Sequence, residues 1–377
     1  MIKRPNKLLI IFLALFLTGC WDYQDINERS ISFSTGVDIV NNNFEFSGEI
    51  VKLLSSSKAD EQKSQSQGVY TFLSHGKDFE QARLDFEKQN SFPLFLGASK
   101  TVIFGEKFAK EGIEPYVNRI DKFYDFRKTL LPVVSRETPK ELFKIKVEES
   151  ISVGFLIDDI ISNLKEKKMT VYSDIGEILS DTTLEGIGYM LPYVGTEYGS
   201  IKYLGLAVMK NSRLVGIIDM EDTDGILYLL ADKPVLTESL FSAEEKNNKY
   251  SLRTAVKKRR IKTYYKDGRV SIKVDLNIKA EMRYQYYLKP ISDGEIKKIE
   301  DKVSKKIKND ILNIFKRSQD EFKCDIFHFL KYFRADHPKI YKQIKWEDAY
   351  PEANIEVNIK TKIINLGLMD PNAKKKE

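Results

Sequence analysis

The chain has 377 residues, of which 42% are hydrophobic, 11% aromatic and 31% charged; that is enough apolar material for two or three cored domains and excludes bulk disorder. Against 55 Asp and Glu stand 61 Lys and Arg; Lys3, Arg4 and Lys7 lie in a segment read below as removed, so 58 basic residues remain in the body. A balance that close to neutral excludes the charge signature of a nucleic-acid binder.

Residues 1–19 read as an export signal. Lys3, Arg4 and Lys7 supply a positive start, and residues 8–17 form an unbroken apolar run. The run falls roughly eight residues short of a bilayer span, which disfavours a plain transmembrane anchor. Leu17-Thr18-Gly19-Cys20 then resembles a bacterial lipobox. Two small residues let the backbone enter a signal peptidase, which would cut between Gly19 and Cys20 after the thiol is alkylated by a diacylglyceryl group. Two acyl chains hold a membrane where one gives only marginal binding. The chain has two cysteines, Cys20 and Cys324. A disulfide is the simple expectation for an exported chain, but lipidation consumes Cys20 and leaves Cys324 as a buried small hydrophobe.

After a short tether, a strand is expected up to Val40, a turn at Asn41-Asn42-Asn43, and a second strand over 44–54. Residues 55–67, rich in Ser, Gln and Lys, read as a loop. Phe79, Ala82 and Phe86 share one face of a helix over 77–90. A buried strand at 101–104, helices over 106–110 and 115–124, and a strand at 130–134 follow. Residues 138–168 and 174–180 read as helical, and Pro192, Gly195 and Gly199 suggest a boundary. LGLAVMKNSRLVGIID predicts a hairpin turning at Lys210-Asn211-Ser212-Arg213. Val270, Ile272, Val274, Leu276, Ile278 and Ala280 alternate along a half-buried strand, paired through Asp267-Gly268 with residues 252–265. Ser292 and Glu295 give an S-x-x-E capping pattern. The stripe Ile296, Ile299, Val303, Ile307, Ile311 and Ile314 follows and reads as core-facing rather than as a partner seam. Ile355, Val357, Ile359, Thr361 and Ile363 close the chain as a strand.

This order predicts an α+β protein in several parts: a signal over 1–19, a mixed α/β domain over 20–136, a small helical middle domain over 137–198, and an α+β domain over 199–370. The last would be an antiparallel sheet with a long helix on one face, and residues 371–377 a charged tail.

Catalytic patterns are missing. His75, His328 and His337 are far apart, and no H-x-x-x-H, C-x-x-C, P-loop, G-x-G-x-x-G or G-x-S-x-G occurs. Asp158-Asp159 point apart on a helix, and residues 221–225 lack the closing Glu of a calcium loop. No cofactor or metal is expected. The densest basic cluster is Lys257-Lys258-Arg259-Arg260. It reads either as a solvated strand edge or as a patch for anionic headgroups or an acidic partner. It lacks the aromatic platform that single-stranded nucleic acid needs.

Cys20-Trp21-Asp22-x-x-Asp25-Ile26-Asn27 resembles the opening of the Ger(x)C lipoproteins, the C subunits of spore germinant receptors, with Asp25 where that family has Glu. Gly36-Val37-Asp38, LGASKTVIFGEKFAKEGIEPYVNRI, TPKELFKI, LGLAVMKNSRLVG and Trp346 with IEVNIKTKIINLG are similar to further family stretches in the same order. Lys122, Asp125 and Arg127 depart from the family's Arg-Asp and Glu cluster. The resemblance implies a non-enzymatic subunit that sits with polytopic A and B subunits on the outer face of the inner spore membrane or cell membrane and serves nutrient-triggered germination. The alternative is a solute-binding lipoprotein of an importer, which predicts two similar lobes of repeated β-α-β units. A lipoprotein hydrolase would need a nucleophile–base pair that the sequence does not offer.

Overall fold

The computed structural model describes residues 25–52, 68–123, 126–127, 129–181, 184–242, 247–287 and 290–366. The signal segment, Gly19, Cys20, Trp21, Asp22, the 55–67 loop, Asp125 and the 371–377 tail lie outside the described residues.

Two sheets organise the chain. The first has nine strands: β1 (Ser30–Val40), β2 (Asn43–Val51), β3 (Val69–Gly76), β4 (Leu94–Phe95), β5 (Thr101–Gly105), β6 (Leu131–Ser135), β7 (Gly188–Glu197), β8 (Ser200–Lys210) and β9 (Arg213–Asp219). Its order is β3-β2-β1-β5-β6-β7-β8-β9, with β4 beside β1. The central β1–β5–β6–β7 pairings are parallel, and hairpins extend the sheet on both sides. Helices α1 (Phe79–Glu87), α2 (Glu106–Glu111) and α3 (Glu114–Lys122) pack on one face; α4 (Pro139–Leu142) and α5 (Val153–Glu166) pack on the other. That double cover explains why β5 and β6 are uninterrupted apolar runs: Val102 and Phe104 enter one core, Ile103 and Val133 the other. Helix α6 (Ile175–Asp181) leads into β7.

A short helix α7 (Asp224–Leu230) connects to the second sheet, β10 (Val235–Phe241), β11 (Lys249–Lys266), β12 (Arg269–Gln285) and β13 (Asn354–Asn365), in that order. The expected alternation holds, with Val270, Ile272, Val274, Leu276, Ile278 and Ala280 all buried. The long helix α8 (Asp293–Asp320) lays Ile299, Val303, Ile307, Ile311 and Ile314 on them. Ser292 caps it as expected, accepting from Glu295 N at 3.0 Å. The Glu295 carboxylate is itself buried and accepts from Ser242 Oγ at 2.8 Å and Tyr250 OH at 3.3 Å, so this cap is also tied to the sheet. Helices α9 (Phe329–Asp336), α10 (Pro338–Tyr341) and α11 (Trp346–Ala349) return the chain to β13.

Three expectations need correction. First, the sheet of the C-terminal half is not wholly antiparallel. β13 runs parallel to β12, because the long excursion through α8–α11 brings the chain back to the end where β12 begins. Second, the hairpin at 204–219 belongs to the nine-stranded sheet, where β8 pairs with β7. Third, Pro192, Gly195 and Gly199 do not interrupt the chain. They lie in the β7–β8 hairpin, whose two-residue turn is Tyr198-Gly199 with φ of 52° and 81°. A tyrosine at positive φ gives no turn signal in a sequence. Asn41-Asn42, Asn211-Ser212 and Asp267-Gly268 make the same double-positive turn and are where the sequence placed them.

Candidate functional site

The basic cluster lies on β11, and the structure divides it. A bulge between Val256 and Lys258 shifts the register against β12, and Lys257, Lys258 and Arg260 stand exposed while Arg259 is half-buried. The Arg259 guanidinium donates to Ala231 O at 2.6 Å, just past the end of α7, and burial lowers its pKa. Three cations are therefore available to a partner, and the fourth is a bracket between elements. Beyond Ala255, where β10 pairing ends, α9 guards the open edge of β11. Thr263 N donates to Asp336 Oδ2 at 3.1 Å, and His337 Nε2 lies 3.0 Å from Thr263 O.

The three histidines do not converge on one site. His75 pairs with Glu45 at 2.8 Å, and His328, which pairs with Asp181 at 2.9 Å, sits at the opposite end of α9 from His337. Among the described residues no group of three His, Cys, Asp or Glu could hold a metal ion. Residues 220–225 form a 3-10 turn and the start of α7 rather than a loop that encircles an ion. Asp222 pairs with Arg317 at 3.4 Å. Cys324 is buried, which pushes its thiol up to about 12 and keeps it from acting as a thiolate. Among the described residues no helix is long and apolar enough to cross a membrane.

The geometry points instead to a network of contacts among the quoted motifs. Gly36 on β1 lies against Pro139 of α4, where a Cβ would come within 2.2 Å of the proline Cβ. Asp38, two residues on, is buried and caps α2: its Oδ1 accepts from Phe108 N at 3.3 Å, and a Cβ on Gly105 would meet its carboxylate at 2.3 Å. Ile113 N, between α2 and α3, donates to Ser212 O in the β8–β9 turn at 2.8 Å. G-V-D, F-G-E-K-F, E-G-I, T-P-K-E-L and K-N-S-R are thus joined by contacts on the nine-stranded sheet.

A second junction ties the segment between α8 and α9 to the start of β7. Asp325 and Ile187 form an isolated bridge, with Asp325 N donating to Gly186 O at 2.9 Å and Gly188 N to Asp325 O at 3.2 Å. The fully buried Asp325 carboxylate accepts from Phe327 N at 3.1 Å, Leu330 N at 2.8 Å and Trp346 Nε1 at 3.1 Å. Gly188 is required there because a Cβ would stand 2.6 Å from Cys324 Sγ. Sequence reasoning singled out Trp346 and Cys324 but passed over Asp325. The C-D-I-F-H-F run reads as apolar, and its one carboxylate finds its third donor 21 residues away.

Comparison with known proteins identifies the family. The family model "Spore germination protein N-terminal domain" matches residues 22–196, and "Spore germination B3/GerAC like, C-terminal" matches residues 204–367. The chain belongs to the GerAC-like spore germination proteins. Spore germination protein B3 of Bacillus subtilis is 22% identical over 376 residues, covering 97% of this chain and 99% of that protein. Spore germination protein A3 of the same organism is 23% identical, covering 95% and 96%. GerQC of Bacillus cereus is 20% identical, covering 96% and 99%. The crystal structure of the GerBC protein shares the fold at a TM-score of 0.53 and 19% identity, covering 88% of this chain and 97% of that one. In this GerAC-like chain the two models meet between residues 196 and 204, whereas the nine-stranded sheet runs through that point to Asp219. Of the cluster that departs from the family pattern, Lys122 is exposed beside Asp121 at 3.1 Å and Arg127 is exposed.

Proposed function

We propose that this GerAC-like protein is the lipid-anchored, non-enzymatic C subunit of a nutrient germinant receptor. It is held through Cys20 on the outer face of the inner spore membrane or cell membrane and works by contact with polytopic A and B subunits. The observation that carries the reading is the match of both family models in sequence order over nearly the whole chain, with relatives of matching length. The lipobox around Cys20 supports the anchor. The exposed Lys257, Lys258 and Arg260 supply a basic surface for headgroups or an acidic partner. The importer alternative is weakened by the architecture, since a nine-stranded and a four-stranded sheet are not two similar lobes.

The test is crosslinking and affinity recovery from detergent-solubilised spore membranes with the full chain as bait, followed by mass spectrometry, with Cys20→Ala in parallel. Recovery of two polytopic membrane proteins, lost with Cys20→Ala, supports the proposal. Recovery of an ATPase with its permease would replace it with the importer. Palmitate labelling that persists in Cys20→Ala would refute the anchor.

A further inference from the structure

Helix α8 covers one face of the second sheet. The other face is open, and the strand register shows which side chains share it. On β11, Arg253, Lys258, Arg260 and Lys262 alternate onto this face and are exposed, and Lys279 of β12 joins them opposite Ala255. Among the described residues none of these five cations has an ion-pair partner. Asp275, Glu281 and Glu356 share the face, but Glu356 is held by Lys273 at 2.9 Å and Asp275 accepts from Asn358 at 3.1 Å.

At one end of this face the charge meets aromatic rings. A register shift between Ser251 and Leu252 leaves Arg283 as an extra residue on β12. Tyr284 and Tyr286 would otherwise follow Met282 onto the core side; the bulge sets them on the open face instead, with Tyr284 opposite Ser251. Phe241 of β10 lies opposite Lys249, whose ammonium sits 4.7 Å from the Phe241 ring and 5.7 Å from the Tyr286 ring. Tyr284 meets Tyr286 edge to face at 5.9 Å. Phe241 and Tyr284 are each 57% exposed and Tyr286 59%, so this is a cluster assembled on the surface and not the rim of a core. Rings that are apolar in body and polar at the tip, beside ammonium groups, are the side chains that suit the boundary between acyl chains and headgroups.

We infer that the open face of the second sheet docks on an anionic lipid bilayer, with Phe241, Tyr284 and Tyr286 at the headgroup boundary and the cations behind them on lipid phosphates. The spread of the charge sets the class of partner. Lys249 to Lys262 covers about 40 Å of strand, too far for one compact anion and suited to an array of headgroups. The rings decide for a bilayer, which supplies an apolar layer directly beneath its phosphates. The inference rests on the proposed placement of the body beside a membrane and turns its basic surface into an orientation, with the second sheet toward the lipid.

The experiment reconstitutes the full chain, without A or B subunits, into vesicles of phosphatidylcholine alone and of phosphatidylcholine with about 30% phosphatidylglycerol. The rate at which an N-hydroxysuccinimide ester acetylates each lysine is followed by mass spectrometry. Lys249, Lys258, Lys262 and Lys279 should react about fivefold more slowly on the anionic vesicles, with the slowing weakened by high salt. Lys305 on α8 and Lys146, both exposed and away from this face, should react alike on both. Tyr284→Ser with Tyr286→Ser alters only exposed side chains and should remove most of the slowing while leaving the thermal midpoint unchanged. Equal rates on the two vesicles, equal slowing of Lys305 and Lys146, or full slowing in the double variant would each overturn the inference. Slowing that appears only when polytopic subunits are added would also overturn it, giving the face to an acidic partner and leaving the receptor reading intact.

Discussion

Replacing Asp325 by Ala removes one carboxylate and strands three donors: Phe327 N, Leu330 N and the Trp346 indole. All three lie in a region from which water is excluded, since Asp325 is 0% exposed and Trp346 only 3%. Each buried donor left without an acceptor costs about 1–3 kcal/mol. Water entering the vacated space will recover part of that, so the expected loss is about 3–5 kcal/mol, a large fraction of a typical domain's stability. Asn keeps one acceptor oxygen, which can serve Leu330 N and Trp346 Nε1, but turns an amide NH₂ toward Phe327 N. It should cost about 1–2 kcal/mol. Denaturant unfolding followed by Trp346 fluorescence measures both variants, and hydrogen exchange at Gly188 N reports whether the bridge between β7 and Asp325 opens first. An Ala variant within about 0.5 kcal/mol of the parent, or an Asn variant as damaging as Ala, would refute the argument that this carboxylate organises the segment from α8 through α11.

Burial pushes the Asp224 carboxyl up to about 6, with Glu238 and Asp310 adding to the shift and Lys306 opposing it. The folded state thus holds this proton more tightly than the unfolded chain, and the stability it contributes is present below about pH 4 and lost as the pH rises through about 6. Asp224→Asn should therefore be more stable than the parent at about pH 8, by about 1–2 kcal/mol after allowing for solvent screening, with the gain gone at about pH 4; a pH-independent difference would contradict the assignment. Glu49, buried on β2, accepts from Val153 N at 2.7 Å, Gly154 N at 2.9 Å and Ser34 Oγ at 2.6 Å, and so anchors the start of α5 to the sheet. Glu49→Ala should cost about 2–4 kcal/mol and expose α5 amides to hydrogen exchange before the rest of the chain; uniform exchange would show that the anchor is not local. Arg259→Ala should lower stability by about 1–3 kcal/mol, whereas Lys257→Glu, Lys258→Glu and Arg260→Glu together should leave the thermal midpoint nearly unchanged and reduce sedimentation with anionic vesicles; the reverse pattern would mean the four side chains are not divided as described.

Much of this architecture is local in origin and so was legible in the sequence. The Ser292 cap, the isoleucine stripe of α8, the alternation along β12, and the Asn41-Asn42, Asn211-Ser212 and Asp267-Gly268 turns depend on residues within a few positions of each other. The lipobox-like stretch and the ordered motifs are likewise linear patterns, and the ordered motifs sufficed to place the chain in its family. What the tertiary structure decided involves partners far apart in sequence. The parallel β13 depends on where a long excursion returns, and the membership of the 200–219 hairpin on which sheet offers a free edge. Arg259 and Lys258 are adjacent in the chain, and the alternation of the strand beyond the bulge turns the first toward Ala231 and leaves the second in solvent. Asp325, Glu49 and Arg119 lie in apolar or mixed runs where a charge reads as surface, and only the fold shows them buried with donors or rings from other elements around them. A sequence records residue chemistry and short spacings, whereas burial is set by everything that packs around a site. That is why the turns and caps could be read in advance, while the Asp325 junction and the cation among the aromatic rings could not.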